Sequence, residues 1–388
     1  MSSKSISMDF NSGDQVEFLF FTGPSRVLFS LAGKFLRIGE KKKNSIWSLA
    51  TLQRLYNYSL NIAIIALCLG KLFLDPSRYG ASISTEVFSL SIEIWYIGAM
   101  LSSAVHLYTS ELRYKLLNSL YVLHKKVNLA VNYSDVMKQN RSITTISWLF
   151  FVHVVLVSAV TFLCLNYSNI SMIRSVVRAM VIFHYVITAN YIYFFQVVLC
   201  RLLDNLREQL STTAENVKSI LEMFIQLQVI NDDFNCLYWI QTLVIIAVSI
   251  IPLLKFGFIM GCEIVFGGYN EFRPSDYFWL VVQVILIMLL CSIGTIKYCK
   301  ATALYKKVLL ATIESSGQLA YYGGHLMSAI SDVPLHFSGG LFYINMSFLV
   351  NIAGIVVTYW VILLEFEMAY NSSKTVEGFL RQLNITGM

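Results

Sequence analysis

Seven apolar stretches, each about as long as a bilayer is thick, constrain this chain more than any other feature. They run from 55 to 74, 85 to 109, 145 to 166, 176 to 200, 238 to 266, 277 to 300 and 341 to 366. Crossing a hydrocarbon layer of roughly 30 Å takes about 20 mostly apolar residues in a helix, because the backbone must satisfy its own hydrogen bonds there. The sequence therefore predicts an all-α integral membrane protein with seven transmembrane helices. With 56% hydrophobic and 13% charged residues, it lies outside the range of soluble domains of its 388-residue length.

Orientation follows from Lys and Arg outside the stretches, whose excess marks the cytoplasmic side. Nineteen lie before the first stretch and after the second, fourth and sixth; five lie in the other loops and the carboxyl-terminal tail. The expected topology has the amino terminus inside and the carboxyl terminus outside. No cleaved secretory signal precedes the first stretch. Of the sequons, Asn166, Asn169, Asn371 and Asn384 fall on the expected outside while Asn57, Asn132, Asn140 and Asn345 do not, so they do not decide topology.

The long inner segments carry helical periodicity. Leu202, Leu203, Leu206 and Leu210, then Val217, Ile220, Leu221, Phe224 and Leu227, recur at three-to-four spacing between charged residues. Ala303, Leu304, Val308, Leu309 and Ile313 repeat the pattern after the sixth stretch. The expected organisation is a cytoplasmic segment (1–54), four membrane helices (55–200), a cytoplasmic helical linker (201–237), two membrane helices (238–300), an anchor helix and turn (301–340), a last membrane helix (341–366) and an extracellular tail (367–388). Pro334 and Ser338-Gly339-Gly340 supply the break before the last helix.

Enzyme signatures are missing. There is no nucleophile elbow, phosphate-binding Gly loop or HExxH. The seven cysteines lie within or beside apolar stretches with no CxxC, which argues against a disulfide framework or a zinc site. No metal, cofactor or nucleic-acid partner is expected.

The stretch Phe337 to Phe366, FSGGLFYINMSFLVNIAGIVVTYWVILLEF, resembles the carboxyl-terminal signature of insect gustatory receptors. Gly340, Phe342, Ile344, Asn345, Thr358, Tyr359 and Phe366 match that signature, and Glu365 stands where it usually carries Gln. The resemblance implies a ligand-gated cation channel in the plasma membrane of sensory neurons, a homo- or hetero-tetramer surrounded by lipid, each subunit contributing its last membrane helix to the pore. It places Phe366 at the gate and Glu365 at the outer mouth, with Thr358, Tyr359 and Ile362 on neighbouring arcs of the same helix. It also implies that a small-molecule tastant enters among the outer halves of stretches two to six.

Those halves contain Glu93, Trp95, Tyr96, Thr161, Arg178, His184, Tyr185, Lys255, Glu263, Tyr277, Trp279 and Gln283. Aromatic walls with a few polar groups suit a small organic ligand, and ionisable groups at such depth need a partner or a cavity. Arg178 and Glu263 are one possible pair. Two other seven-helix readings compete. A G-protein-coupled receptor would place its amino terminus outside and carry Asp-Arg-Tyr and Asn-Pro-x-x-Tyr motifs, which are missing. An odorant-receptor-type channel would share the architecture without the Thr-Tyr…Phe ending.

Overall fold

The computed structural model describes residues 49–74, 83–128, 152, 172–210, 214–266, 274–313, 317–332, 335–340 and 342–386. These residues form eight helices in the order α1 (Leu49–Leu74), α2 (Ile83–Tyr108), α3 (Ser110–Asn128), α4 (Met172–Gln209), α5 (Ala214–Phe266), α6 (Pro274–Ile313), α7 (Gln318–Asp332) and α8 (Met346–Thr386). The expected third stretch, 145 to 166, lies outside the described residues except for Val152. Among the described residues, α4, α5, α6 and α8 are long and apolar enough to cross a membrane.

All four of those helices outrun any bilayer, and three of them continue the stretches that carry amphipathic extensions in the sequence. At about 1.5 Å per residue, the 53 residues of α5 extend about 80 Å, and α4 and α6 extend about 57 and 60 Å. The excess is the amphipathic extension read from the sequence. Leu202, Leu203, Leu206, Val217, Ile220, Phe224, Leu227, Leu304 and Val308 are all buried. They form one core in which α4 packs on α6 and both pack on α5. α7 completes it, with Gln228 donating to the Ala329 carbonyl at 2.6 Å. Ile313 departs from the pattern and is exposed.

Three boundaries differ from the sequence reading. First, the chain does not leave helical geometry after α2: the Thr109 amide bonds Val105 O and the Arg113 amide bonds Thr109 O, so α3 follows at once. Arg113, read from the sequence as a loop charge, is consequently buried; its Nε donates to Thr109 Oγ1 at 2.8 Å, and its guanidinium lies 4.2 Å from the Tyr238 ring centroid.

Second, the last helix begins at Met346 rather than 341. A bridge between Ser338 and Tyr343 and a left-handed Gly340 at φ 85° hold the preceding residues extended and turned. Asn345 then caps the helix, its Oδ1 accepting from the Phe348 amide at 2.9 Å. Third, α8 does not end at Phe366 but remains helical to Thr386, so the expected tail is the continuation of the same helix.

Candidate functional site

Buried polar groups line α5 on two sides, one shared with α2 and α4 and one with α6. On α4, one turn of helix presents His184 and Tyr185 side by side, their ring centroids 6.0 Å apart and edge-on. His184 Nε2 is 2.9 Å from Ser102 Oγ on α2, and Gln241 of α5 donates to the Ser102 carbonyl at 3.0 Å. The Tyr185 hydroxyl donates to the Trp95 carbonyl at 2.6 Å. It reaches that carbonyl because Gly98 has no side chain; a Cβ there would stand 2.5 Å from the hydroxyl. Ser249 of α5 donates to Gln283 Oε1 of α6 at 2.6 Å.

The interior retains hydrogen-bonding capacity. Gln241 Oε1, Thr242 Oγ1 and Ser103 Oγ are buried without a hydrogen-bond partner among the described residues. Unmet polar atoms in an apolar interior are costly, so such a site gains from a hydroxyl-bearing guest or water. With Tyr96 and Tyr185 buried and Trp95 half-buried beside it, the chemistry offered is aromatic surface plus a few donors and acceptors.

The structure therefore brings Trp95, Tyr96, His184, Tyr185 and Gln283 into the α2, α4, α5 and α6 interior. Glu93 is half-buried one turn from Tyr96, and Glu263 is exposed near the end of α5. Thr161 and the side chains of Arg178 and Trp279 lie outside the described residues, and with them the Arg178–Glu263 pair. Ser102 and Gln241 were missed in the sequence reading, because isolated polar residues in apolar stretches carry no motif. For Gln241 the one signal is a side-chain amide in the middle of an apolar stretch, which needs a partner from another helix at such depth; Ser102 gives none, since a helical serine can bond its own backbone.

The second element of interest is α8. One face packs on α5: Ile352 and Val356 are buried, Trp360 Nε1 donates to the Leu253 carbonyl at 3.0 Å, and Leu364 follows. Gly257 and Gly261 of α5 form the notch that receives them. A Cβ at Gly257 would overlap the Trp360 ring, and one at Gly261 would stand 2.6 Å from Leu364 Cδ1. Small residues four apart allow such close approach of membrane helices. The notch lies just beyond Pro252, which α5 accommodates without ending.

The opposite face of α8 is bare. Thr358, Tyr359, Ile362, Glu365 and Phe366 are all exposed, with Tyr359 and Phe366 at 52% and 58%. Only 11% of the apolar stretch of α8 is buried within the chain, against 83% for α4. Glu367, by contrast, points into the α5 side and is buried. The two arcs expected from helix spacing thus share one open surface.

No protein-family model and no curated protein matches the sequence. Among solved structures, the insect olfactory receptor OR5 from Machilis hrabei superposes with a TM-score of 0.68 at 14% identity, covering 88% of this chain and 96% of that one. The same receptor in complex with eugenol superposes at 0.63, with the same identity and coverage. The chain has the fold of these receptors.

Proposed function

We propose that this chain is one subunit of a tetrameric, ligand-gated, non-selective cation channel of the gustatory-receptor type, opened by a small tastant or contact chemical in the plasma membrane of sensory neurons. The observation that carries the proposal is the bare face of α8. A membrane helix that buries so little of itself, yet carries Thr358, Ile362 and Glu365 in one narrow arc, gains a role when that arc faces water on a symmetry axis. Four copies would give a ring of Glu365 carboxylates at the outer mouth, favouring cations, and a ring of Phe366 at the gate. The likeness in fold to insect olfactory receptors supports the same architecture.

In this reading the amino terminus is inside, the carboxyl terminus is outside, and the extensions of α4, α5 and α6 with α7 anchor the subunits in the cytoplasm. The ligand binds the interior lined by Tyr96, His184 and Tyr185. Its recognition moves α4, α5 and α6, and α8 follows at the Gly257/Gly261 notch. The protein carries out no enzymatic step.

An odorant-receptor-type channel subunit is favoured equally by the fold, since one of the similar structures holds eugenol. Current recording in a heterologous cell with sugars, bitter alkaloids and volatile phenols distinguishes the two: water-soluble agonists support the gustatory reading and volatile ones the odorant reading. Ligand-evoked second-messenger signalling without a current would refute both.

A further inference from the structure

The junction that begins α8 is built around a buried cation. Lys297 of α6 is fully buried, and its ammonium donates to three oxygens: Gln196 Oε1 of α4 at 2.6 Å, Asn231 Oδ1 of α5 at 2.6 Å, and the His336 carbonyl at 3.1 Å. All three acceptors are oxygens with no proton to give, so the three bonds require the charged ammonium. Lys297 forms no ion pair among the described residues. A charge so placed is costly unless fully hydrogen-bonded, and here it is.

The His336 carbonyl is more heavily bonded than an ordinary one. Besides Lys297, it accepts from Asn231 Nδ2 at 3.2 Å and Asn235 Nδ2 at 3.0 Å. Asn235 also accepts from the Ser338 amide at 3.3 Å, holding the backbone on both sides of Phe337. Further on, the Met346 amide donates to Thr295 Oγ1 at 3.0 Å, and Gly294 lies against the Ile344 carbonyl with no room for a side chain. The segment leading into α8 is thus fastened to α5 at His336 and Ser338, and the first residue of α8 to α6, by polar bonds. Farther along α8, Trp360 bonds the Leu253 carbonyl and Ile352 and Val356 are buried on one face, while most of the apolar stretch stays uncovered.

A helix tied at one end and lightly docked along its length behaves as a lever, and the tie is a second place, besides the Gly257/Gly261 notch, where movement of α4, α5 and α6 reaches it. We propose that Lys297 is a positioning residue for gating: its ammonium joins α4, α5 and α6 to His336, in the segment that leads into α8, and makes them move as one. The inference rests on the channel reading of α8 and adds the residue that links the ligand-binding helices to it. Lys297 does not face the conducting path, so its loss should alter how readily the channel opens and leave what passes through it unchanged.

The test is single-channel recording of spontaneous and agonist-evoked openings, using the compound from a panel of sucrose, quinine and eugenol that gives the largest wild-type current. Lys297→Met keeps the length of the side chain and removes its donors. Asn235→Ala, at a half-buried site, removes one donor to His336 O and the acceptor for Ser338, and serves if the first variant fails to reach the cell surface. The expected result is a shift of about tenfold in half-maximal agonist concentration, or an equivalent fall in open probability, with unitary conductance and ion selectivity unchanged.

A purely structural lysine would lower the number of channels while each one gated as wild type; that result at the surface, in either variant, overturns the inference. Altered selectivity in Lys297→Met also overturns it. A wild type with neither spontaneous nor evoked openings sinks the channel reading, and this inference with it.

Discussion

Adding a single methyl group to Gly257 should undock α8. The Cβ of Gly257→Ala would fall inside the contact distance of Trp360 Cε2, Cδ2 and Cζ2, and a rigid indole cannot yield there as the end of a flexible chain would. Trp360 must swing away and give up its bond to the Leu253 carbonyl. Overpacking of this kind costs about 1–3 kcal/mol, and the lost hydrogen bond about 1 kcal/mol more. The sum is roughly 2–4 kcal/mol, which at this chain length lowers the thermal midpoint by about 2–5 °C at a fixed scan rate.

Gly70→Ala is the control, because nothing lies within 4 Å of a Cβ at that position in α1. It should be neutral or stabilising by up to about 1 kcal/mol through helix propensity. Purified protein in detergent, followed by intrinsic fluorescence on heating, reads both variants. Combining Gly257→Ala with Trp360→Ala should cost less than the two separate losses together, with a coupling of about 1–3 kcal/mol. Strict additivity, or a Gly257→Ala midpoint equal to wild type, would refute the notch as the docking site of α8.

Three further outcomes are expected. Glu365→Gln should reduce divalent permeation and block in recorded currents without moving agonist sensitivity; unchanged permeability would remove the carboxylate ring. Tyr185→Phe deletes the bond to the Trp95 carbonyl and should weaken the agonist response several-fold while surface expression holds, and an identical dose–response curve would take Tyr185 out of the ligand site. Burial in α3, outside the apolar stretches, holds the His124 ring down at about 4 from its ordinary 6.5. The unfolded chain then takes up a proton that the folded one refuses, so this contribution to stability is complete above about pH 6.5 and lost as pH falls from there toward 4. His124→Gln should flatten that part of the midpoint-against-pH curve; a curve of unchanged slope would contradict the assignment.

Among the described residues, the long apolar helices and their amphipathic extensions were legible because each follows a simple rule of composition or period. Leu202, Leu206, Ile220 and Phe224 recur at the helical period, and every one is buried. Arg113 and Lys297 were not legible, since a lone charge near the end of an apolar stretch reads as a residue reaching for water. Tertiary neighbours supply what the linear pattern lacks: Thr109 and Tyr238 for one, Gln196, Asn231 and a backbone carbonyl for the other. The continuation of α8 to Thr386 was illegible because Asn371, Ser372 and Ser373 are poor helix formers, overridden by an uninterrupted helix on both sides. The links from Ser102 to His184 and Gln241 depend on three helices distant in sequence, which no local spacing encodes.

The central claim is that the bare face of α8 lines the conducting path, and cysteine substitution along this helix tests it most directly. Thr358→Cys, Ile362→Cys and Glu365→Cys, treated from outside with a charged thiol reagent during current recording, should each change the current. Leu363→Cys and Leu364→Cys, on the side toward α5, should not. Modification confined to the second pair, or a current indifferent to all five, would contradict the account.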